Sequence, residues 1–275
     1  IEVREWAIDR ETGHLDQSDL ATLLGDGNVR LVCFPHCSNV VGEINPVAEI
    51  VAMAHAAGAV TCVDGVSYAP HGLPDVAALG TDIYLFSAYK TYGPHQGIMV
   101  IRRALGEALP NQGHYFNGGT LYKRFTPAGP DHAQVAASAG MADYIDAQFA
   151  HHSGAMATAV ERGAFVHDLM RAHEVRLLQP LLDYLAARND VRLLGPRQAE
   201  MRAPTVAVET ARPGEEVAAA LAPHGIMAGG GDFYAVRPLE AMGVDPVKGV
   251  LRMSFVHYTS DAEVEALIRA LDQVL

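Results

Sequence analysis

Apolar positions in the first half of the chain form short runs that alternate with segments of helical spacing. Leu31 to Phe34 is a short apolar strand, and in the following run, Pro46 to Ala57, residues Val47, Ile50, Val51 and Ala54 share one helical face. Pro46 stands at a first helical position, where its missing N–H costs nothing, and Gly58 ends the run. Ala59 to Val63 then reads as a buried strand. After a polar, Pro-containing crossover, Asp82 to Phe86 and Ile98 to Ile101 supply two more strands. Strand and helix in alternation predict a mainly parallel sheet with helices on its faces.

From about His132 the pattern changes. Ala133 to Ala150 and Gly154 to Ala172 are Ala-rich stretches of helical spacing with almost no β-branched clusters, which predicts a helical bridge. Beyond it come a helix over Leu178 to Ala187, strands over Val191 to Leu194 and Thr205 to Val208, and a helix over Glu215 to Ala222. A strand over Leu251 to Val256 and an amphipathic helix from Asp261 to Leu275, with Ser260 as N-cap, close the chain. This mixture predicts a second, smaller α+β domain. The expected division is therefore a large domain over residues 1–150, and a linking helix with a small domain over 151–275. The triplet Gly229-Gly230-Gly231 lacks the Lys-Ser/Thr ending of a phosphate loop and reads as a flexible turn.

Composition narrows the class. A chain of 275 residues that is 49% hydrophobic and 19% charged can bury a large core. No apolar run approaches the roughly 18 residues of a membrane span, so no membrane partner is expected. The net charge of −12 comes from scattered Asp and Glu, which argues against nucleic acid and leaves a small molecule as the default ligand. Cys33, Cys37 and Cys62 show no CxxC or paired His spacing, which suits a reducing, cytoplasmic setting without disulfides or zinc. His151 and His152 lack the helical spacing to a second His and a Glu, so no metal is expected. The chain begins at Ile1 without the basic start and apolar core of a signal peptide, and a trimmed N-terminus is expected.

The chemically informative block is Asp64-Gly65-Val66-Ser67-Tyr68-Ala69-Pro70-His71, followed by Ser87-Ala88-Tyr89-Lys90-Thr91-Tyr92-Gly93-Pro94. In both pieces an apolar strand ends and a functional side chain follows. Ligands of parallel α/β sheets bind at the carboxyl ends of strands, so Asp64 and Lys90 are expected to serve one pocket. An amine and a carboxylate are the groups that pyridoxal 5′-phosphate (PLP) requires: the amine for a covalent link, the carboxylate to keep the ring nitrogen protonated. By residue type alone, each has a plainer reading, Asp64 as a turn or cap residue and Lys90 as a solvated side chain.

The surrounding residues resemble the PLP segment of the class V aminotransferases, a fold type I group that includes cysteine desulfurases and selenocysteine lyases. Other segments match in the same order. His36-Cys37-Ser38-Asn39 resembles the family's His-x-Ser-Asn, which implies that Asn39 lies against cofactor and substrate carboxylate. Phe125 to Pro130 resembles the loop that reaches the phosphate of the neighbouring subunit, with Gly129 left to offer backbone donors. Val250 to Glu263 resembles the strand and helix that carry the carboxylate-binding Arg, here Arg252.

The resemblance implies a homodimeric PLP enzyme acting on an amino acid, with a mainly parallel large domain and a smaller α+β C-terminal domain. Lys90 and Asp64 are the expected catalytic residues, Ser67, Ser87, Tyr89, Asn39 and Gly129 further cofactor contacts, and Arg252, Asn39 and Tyr234 substrate contacts. Three departures bear on the reaction. Tyr234 stands where one desulfurase subgroup carries its sulfur-accepting Cys, Ser67 replaces a common Gln, and Tyr89 replaces a common His. Aminotransferase or related lyase is therefore the expected activity. The alternatives are a desulfurase or selenocysteine lyase with another nucleophile, and a truncated non-catalytic relative, since the family's N-terminal segment has no counterpart ahead of Ile1.

Overall fold

The computed structural model describes all residues except Pro127 and Ala128, so part of the expected Phe125 to Pro130 loop lies outside the described residues. In chain order the first elements are α1 (Gln17–Leu24), β1 (Leu31–Pro35), α2 (Val47–Ala56), β2 (Val60–Asp64), α3 (Val76–Leu79), β3 (Ile83–Ser87), β4 (Gly97–Ile101) and α4 (Arg103–Ala108). Helices α5 (His132–Ala137), α6 (Ala139–His152) and α7 (Ala159–Ala186) follow. The chain then runs through β5 (Val191–Leu194), β6 (Thr205–Thr210), α8 (Gly214–Leu221), β7 (Gly229–Gly231), α9 (Val236–Ala241), β8 (Val250–Ser254) and α10 (Asp261–Val274).

Two compact units result. One comprises Val29–Pro35 and Val47–Val166, the other Ile1–Asn28, His36–Pro46 and His167–Leu275. The expected division at residue 150 follows chain order, whereas the second unit also takes up Ile1–Asn28 and His36–Pro46. The reason is hydrogen bonding. Ile44 N–H donates to the Met201 carbonyl and Ala203 N–H to the Gly42 carbonyl, at 3.0 and 2.9 Å. Gly42 makes this approach possible: its φ is +71°, and a Cβ there would sit 2.3 Å from the Thr205 carbonyl oxygen.

The first unit is built on a sheet of order β1-β2-β3-β4, with β1, β2 and β3 parallel and β4 antiparallel to β3. Alternation divides its faces. Val32, Phe34, Thr61, Val63 and Tyr84 are buried on one face, and α2, which packs on β2, buries Val47, Ile50, Val51 and Ala54. Leu31 and Cys33 lie on the opposite face and are exposed.

The second unit has an antiparallel sheet of order β5-β6-β8-β7. The Gly229 triplet, expected to be a turn, is strand β7, because β8 supplies its hydrogen-bond partners. A Cβ on Gly230 would lie 2.2 Å from the Gly214 and Glu215 backbone, so only glycine lets β7 meet the start of α8. The two helices expected over 154–172 and 178–187 belong to one helix, α7, that runs through Pro180. An interior proline costs about 3 kcal/mol, and the buried side chains of Leu177, Leu178, Leu181, Leu182 and Leu185 offset this at about 1.5–3 kcal/mol each. Helix α10 begins with a capping box between Ser260 and Glu263 and buries Val264, Leu267, Ala270 and Leu271. Among the described residues, no helix is long and apolar enough to cross a membrane.

Candidate active site

The expected site residues divide between the two units. In the first, the register pairs Asp64 with Leu85, and Gly65 N–H donates to the Leu85 carbonyl at 2.7 Å. Asp64, Leu85 and Ser87 therefore share one face at the carboxyl ends of adjacent parallel strands. The Asp64 carboxylate is exposed, and its Oδ1 accepts from Val66 N–H at 2.9 Å, which sets its orientation. Gly65 carries no side chain for a steric reason: a Cβ would fall 2.1 Å from the ring of the fully buried Tyr84.

Lys90 lies in the 3-10 turn Ala88–Lys90 that follows β3, and it is exposed. Several bonds shape this turn. Thr91 Oγ1 donates to the Ser87 carbonyl at 2.7 Å, Ala88 N–H donates to the Gln96 carbonyl, and Gly93 N–H donates to the Ala88 carbonyl. Tyr92 adopts a φ of 64°, and its hydroxyl donates to the Pro70 carbonyl at 2.5 Å, joining the Lys90 turn to the segment after Asp64. Tyr89 is exposed, its ring stacked on His95 at 4.6 Å between centroids, with Lys90 Nζ 6.0 Å from the Tyr89 ring. Ser67 and Ser87 are half-buried, and Gly129 is exposed with open space where a Cβ would be.

In the second unit the structure brings Asn39 and Arg252 together across 213 positions of sequence. Arg252 Nη1 donates to the Asn39 carbonyl at 2.9 Å, and Asn39 Nδ2 donates to the Phe233 carbonyl at 2.8 Å. The guanidinium lies 3.8 Å from the Phe233 ring centroid, within cation–π range. Burial lowers the Arg252 pKa from its ordinary value. Phe233 and Tyr234 both have positive φ, 52° and 60°, and Tyr234 is fully exposed, with its backbone N–H donating to Asp232 Oδ1.

Asn39 itself is set by Ser38, whose hydroxyl accepts from Val40 and Val41 N–H. Behind this segment the buried Arg202 donates to the carbonyls of Leu194, Pro196 and Thr205, and Glu43 pairs with His14. Phe233 was not among the residues expected from sequence. Its only signal there was its place one residue before Tyr234.

Comparison with known proteins identifies the family and the fold. The family described as aminotransferase class-V matches residues 1–267. The aminotransferase-like protein FGM3 of Gibberella zeae is 32% identical over 282 residues, 99% of this chain and 66% of that protein. A cysteine desulfurase of Yersinia pseudotuberculosis is 31% identical, with 100% and 65% covered. The chain thus spans just under two thirds of the length of these relatives. Among solved structures, an apo cysteine desulfurase from Thermococcus onnurineus NA1 matches with a TM-score of 0.78 at 25% identity, over 96% of this chain and 64% of that one. The cysteine desulfurase CsdA of Escherichia coli shares the fold, with a TM-score of 0.75 at 24% identity over 98% of this chain and 64% of that one. The mainly parallel sheet with its α+β companion is thus the fold type I architecture, and the chain belongs to the class-V aminotransferase family.

Proposed function

We propose that the intact protein is a PLP-dependent enzyme acting on an amino acid, an aminotransferase or a related lyase, with Lys90 as the residue that holds the cofactor covalently. The observation that carries this reading is the placement of Asp64 and Ser87 on one face at adjacent strand ends, with Lys90 three residues beyond Ser87. The residues present fit the cofactor. It requires a primary amine, a carboxylate for its ring nitrogen, and hydroxyl and N–H donors for its phosphate; Lys90, Asp64, Ser67, Ser87 and the Gly129 backbone are of those kinds.

When bound, PLP supplies an electron sink for charge developing at a substrate Cα. Asp64 holds the proton at the ring nitrogen, with its carboxylate orientation preset by Val66 N–H. Lys90 Nζ moves the proton at Cα as general acid or base. Arg252 binds the substrate carboxylate, for which its planar fork is suited. Asn39 positions the Arg252 guanidinium through its carbonyl, and one of its amide N–H groups is already engaged by Phe233. A second copy of the chain is the proposed partner, with Gly129 the backbone group that reaches its neighbour's phosphate.

The relatives named cysteine desulfurases support a second reading. Desulfuration requires a thiolate beside the substrate sulfur. Tyr234 stands at the position of the expected Cys, and Cys37 is only 3% exposed, with burial pushing its thiol up to about 12. Amino-group transfer or elimination is therefore favoured.

Borohydride reduction of the full-length protein with PLP, followed by peptide mapping, tests the assignment. The pyridoxyl group is expected on Lys90. Finding it on Lys123 or Lys248 overturns the reading.

A further inference from the structure

Cys33 and Cys62 are register partners in the parallel β1–β2 pair, so their side chains leave the same face of the sheet. Adjacent strands lie about 4.7–4.9 Å apart, inside the roughly 4.4–6.8 Å Cα separation that a disulfide spans. Both thiols are free, Cys33 exposed and Cys62 half-buried. Leu31, the next residue on that face of β1, is 52% exposed among the described residues. Cys37 is different in every respect: it is buried, and its thiol donates to the Gly42 carbonyl.

We propose that Cys33 and Cys62 form a redox-sensitive dithiol that closes to an intramolecular disulfide on exposure to a hydroperoxide. The exposed Cys33 is the attacking group. Its thiolate sulfur bonds to one peroxide oxygen and breaks the O–O bond, leaving a sulfenic acid on Cys33 and releasing the other oxygen as water or alcohol. The Cys62 sulfur then bonds to the Cys33 sulfur and displaces the hydroxyl, which leaves as water with the Cys62 proton. Two thiols are oxidised by two electrons, and one peroxide is reduced. Burial, with Cys33 and Asp64 nearby, pushes the Cys62 thiol up to about 11, which disfavours Cys62 as the first group to attack.

Asp64 is the next residue on that face of β2, so the cross-link ties redox state to the strand end that carries it. That consequence rests on the role proposed for Asp64; the disulfide does not.

The test is a hydrogen peroxide titration of the full-length protein, followed by alkylation in denaturant and peptide mapping without reductant. A Cys33–Cys62 cross-linked peptide is expected to grow with dose and to vanish with dithiothreitol, while Cys37 stays alkylated throughout. In Cys33→Ser, a nearly isosteric change, the cross-link is lost and Cys62 remains alkylated. The proposal is overturned if both thiols stay alkylated across the titration, if Cys33 is driven to sulfinic acid without cross-linking, or if the disulfide joins two chains or involves Cys37. Because the readout is covalent, it is independent of PLP binding and of turnover.

Discussion

The guanidinium of Arg252 rests 3.8 Å from the centroid of the Phe233 ring, although 18 residues of intervening chain separate the two. Phe233 reaches this position with a φ of 52°, and Gly229 leaves room for it, since a Cβ there would lie 2.9 Å from the Phe233 ring. The ring and the Asn39 carbonyl preset the guanidinium, which would lower the cost of ordering it for the carboxylate-binding role proposed above.

Replacing Arg252 with Lys keeps a charge but loses the planar fork. The KM for the amino-acid substrate is expected to rise about tenfold or more, equivalent to about 1.4 kcal/mol, with a smaller change in kcat. Steady-state kinetics of Arg252→Lys check this, and an unchanged KM would assign the carboxylate to another group. Phe233→Leu is expected to act in the same direction, since a cation–π contact contributes about 0.5–2 kcal/mol.

Asp64→Asn tests the proposed hold on the ring nitrogen. The amide is nearly isosteric, so cofactor is expected to remain bound and visible in the absorbance spectrum. Exchange of the substrate Cα proton is expected to slow by about a hundredfold or more, the scale of losing one preorganised electrostatic partner. Near-normal exchange would remove Asp64 from the mechanism.

Gly42 and Gly27 share nearly the same backbone, with φ of +71° and +69°, but differ in surroundings. Nothing lies within 4 Å of a Cβ at Gly27, so Gly27→Ala is expected to cost only the left-handed strain, about 1–2 kcal/mol. Gly42→Ala adds a collision with the Thr205 backbone oxygen and is expected to cost several kcal/mol or to abolish soluble expression. Thermal midpoints of the two variants decide it, and equal losses would refute the close approach.

His36 is 4% exposed, and burial, with His167 nearby, lowers its pKa from 6.5 to about 3. The folded protein therefore holds this imidazole neutral where the unfolded chain protonates it. The stability associated with it is fully present above pH 6.5 and is lost as pH falls from 6.5 toward 3, by up to about 1.4 kcal/mol per pH unit. Denaturant midpoints for the wild type are expected to fall over this range more steeply than those of His36→Gln. Parallel slopes would mean that His36 is protonated in the fold.

Local patterning was enough to locate β1, β2, β3, β4 and α2, and with them Asp64, Ser87 and Lys90, because a strand end and the residues that follow it lie in one continuous stretch of sequence. The family's segments around Lys90 were legible for the same reason. Residues whose placement depends on a distant partner were not. The Gly229 triplet is a strand only because β8 pairs with it and α8 begins against it, and α7 persists through Pro180 only because its leucines are buried. His36–Pro46 joins the second unit through hydrogen bonds to residues more than 150 positions away, and the Arg252–Phe233–Asn39 cluster arises from the same kind of long-range closure. The pairing of Cys33 with Cys62 depends on strand register, which periodicity within either strand does not specify. The local elements that carry the proposed site residues were thus readable from the chain itself, while their long-range partners were settled by tertiary packing, because hydrogen bonds and burial join residues that sequence spacing does not relate.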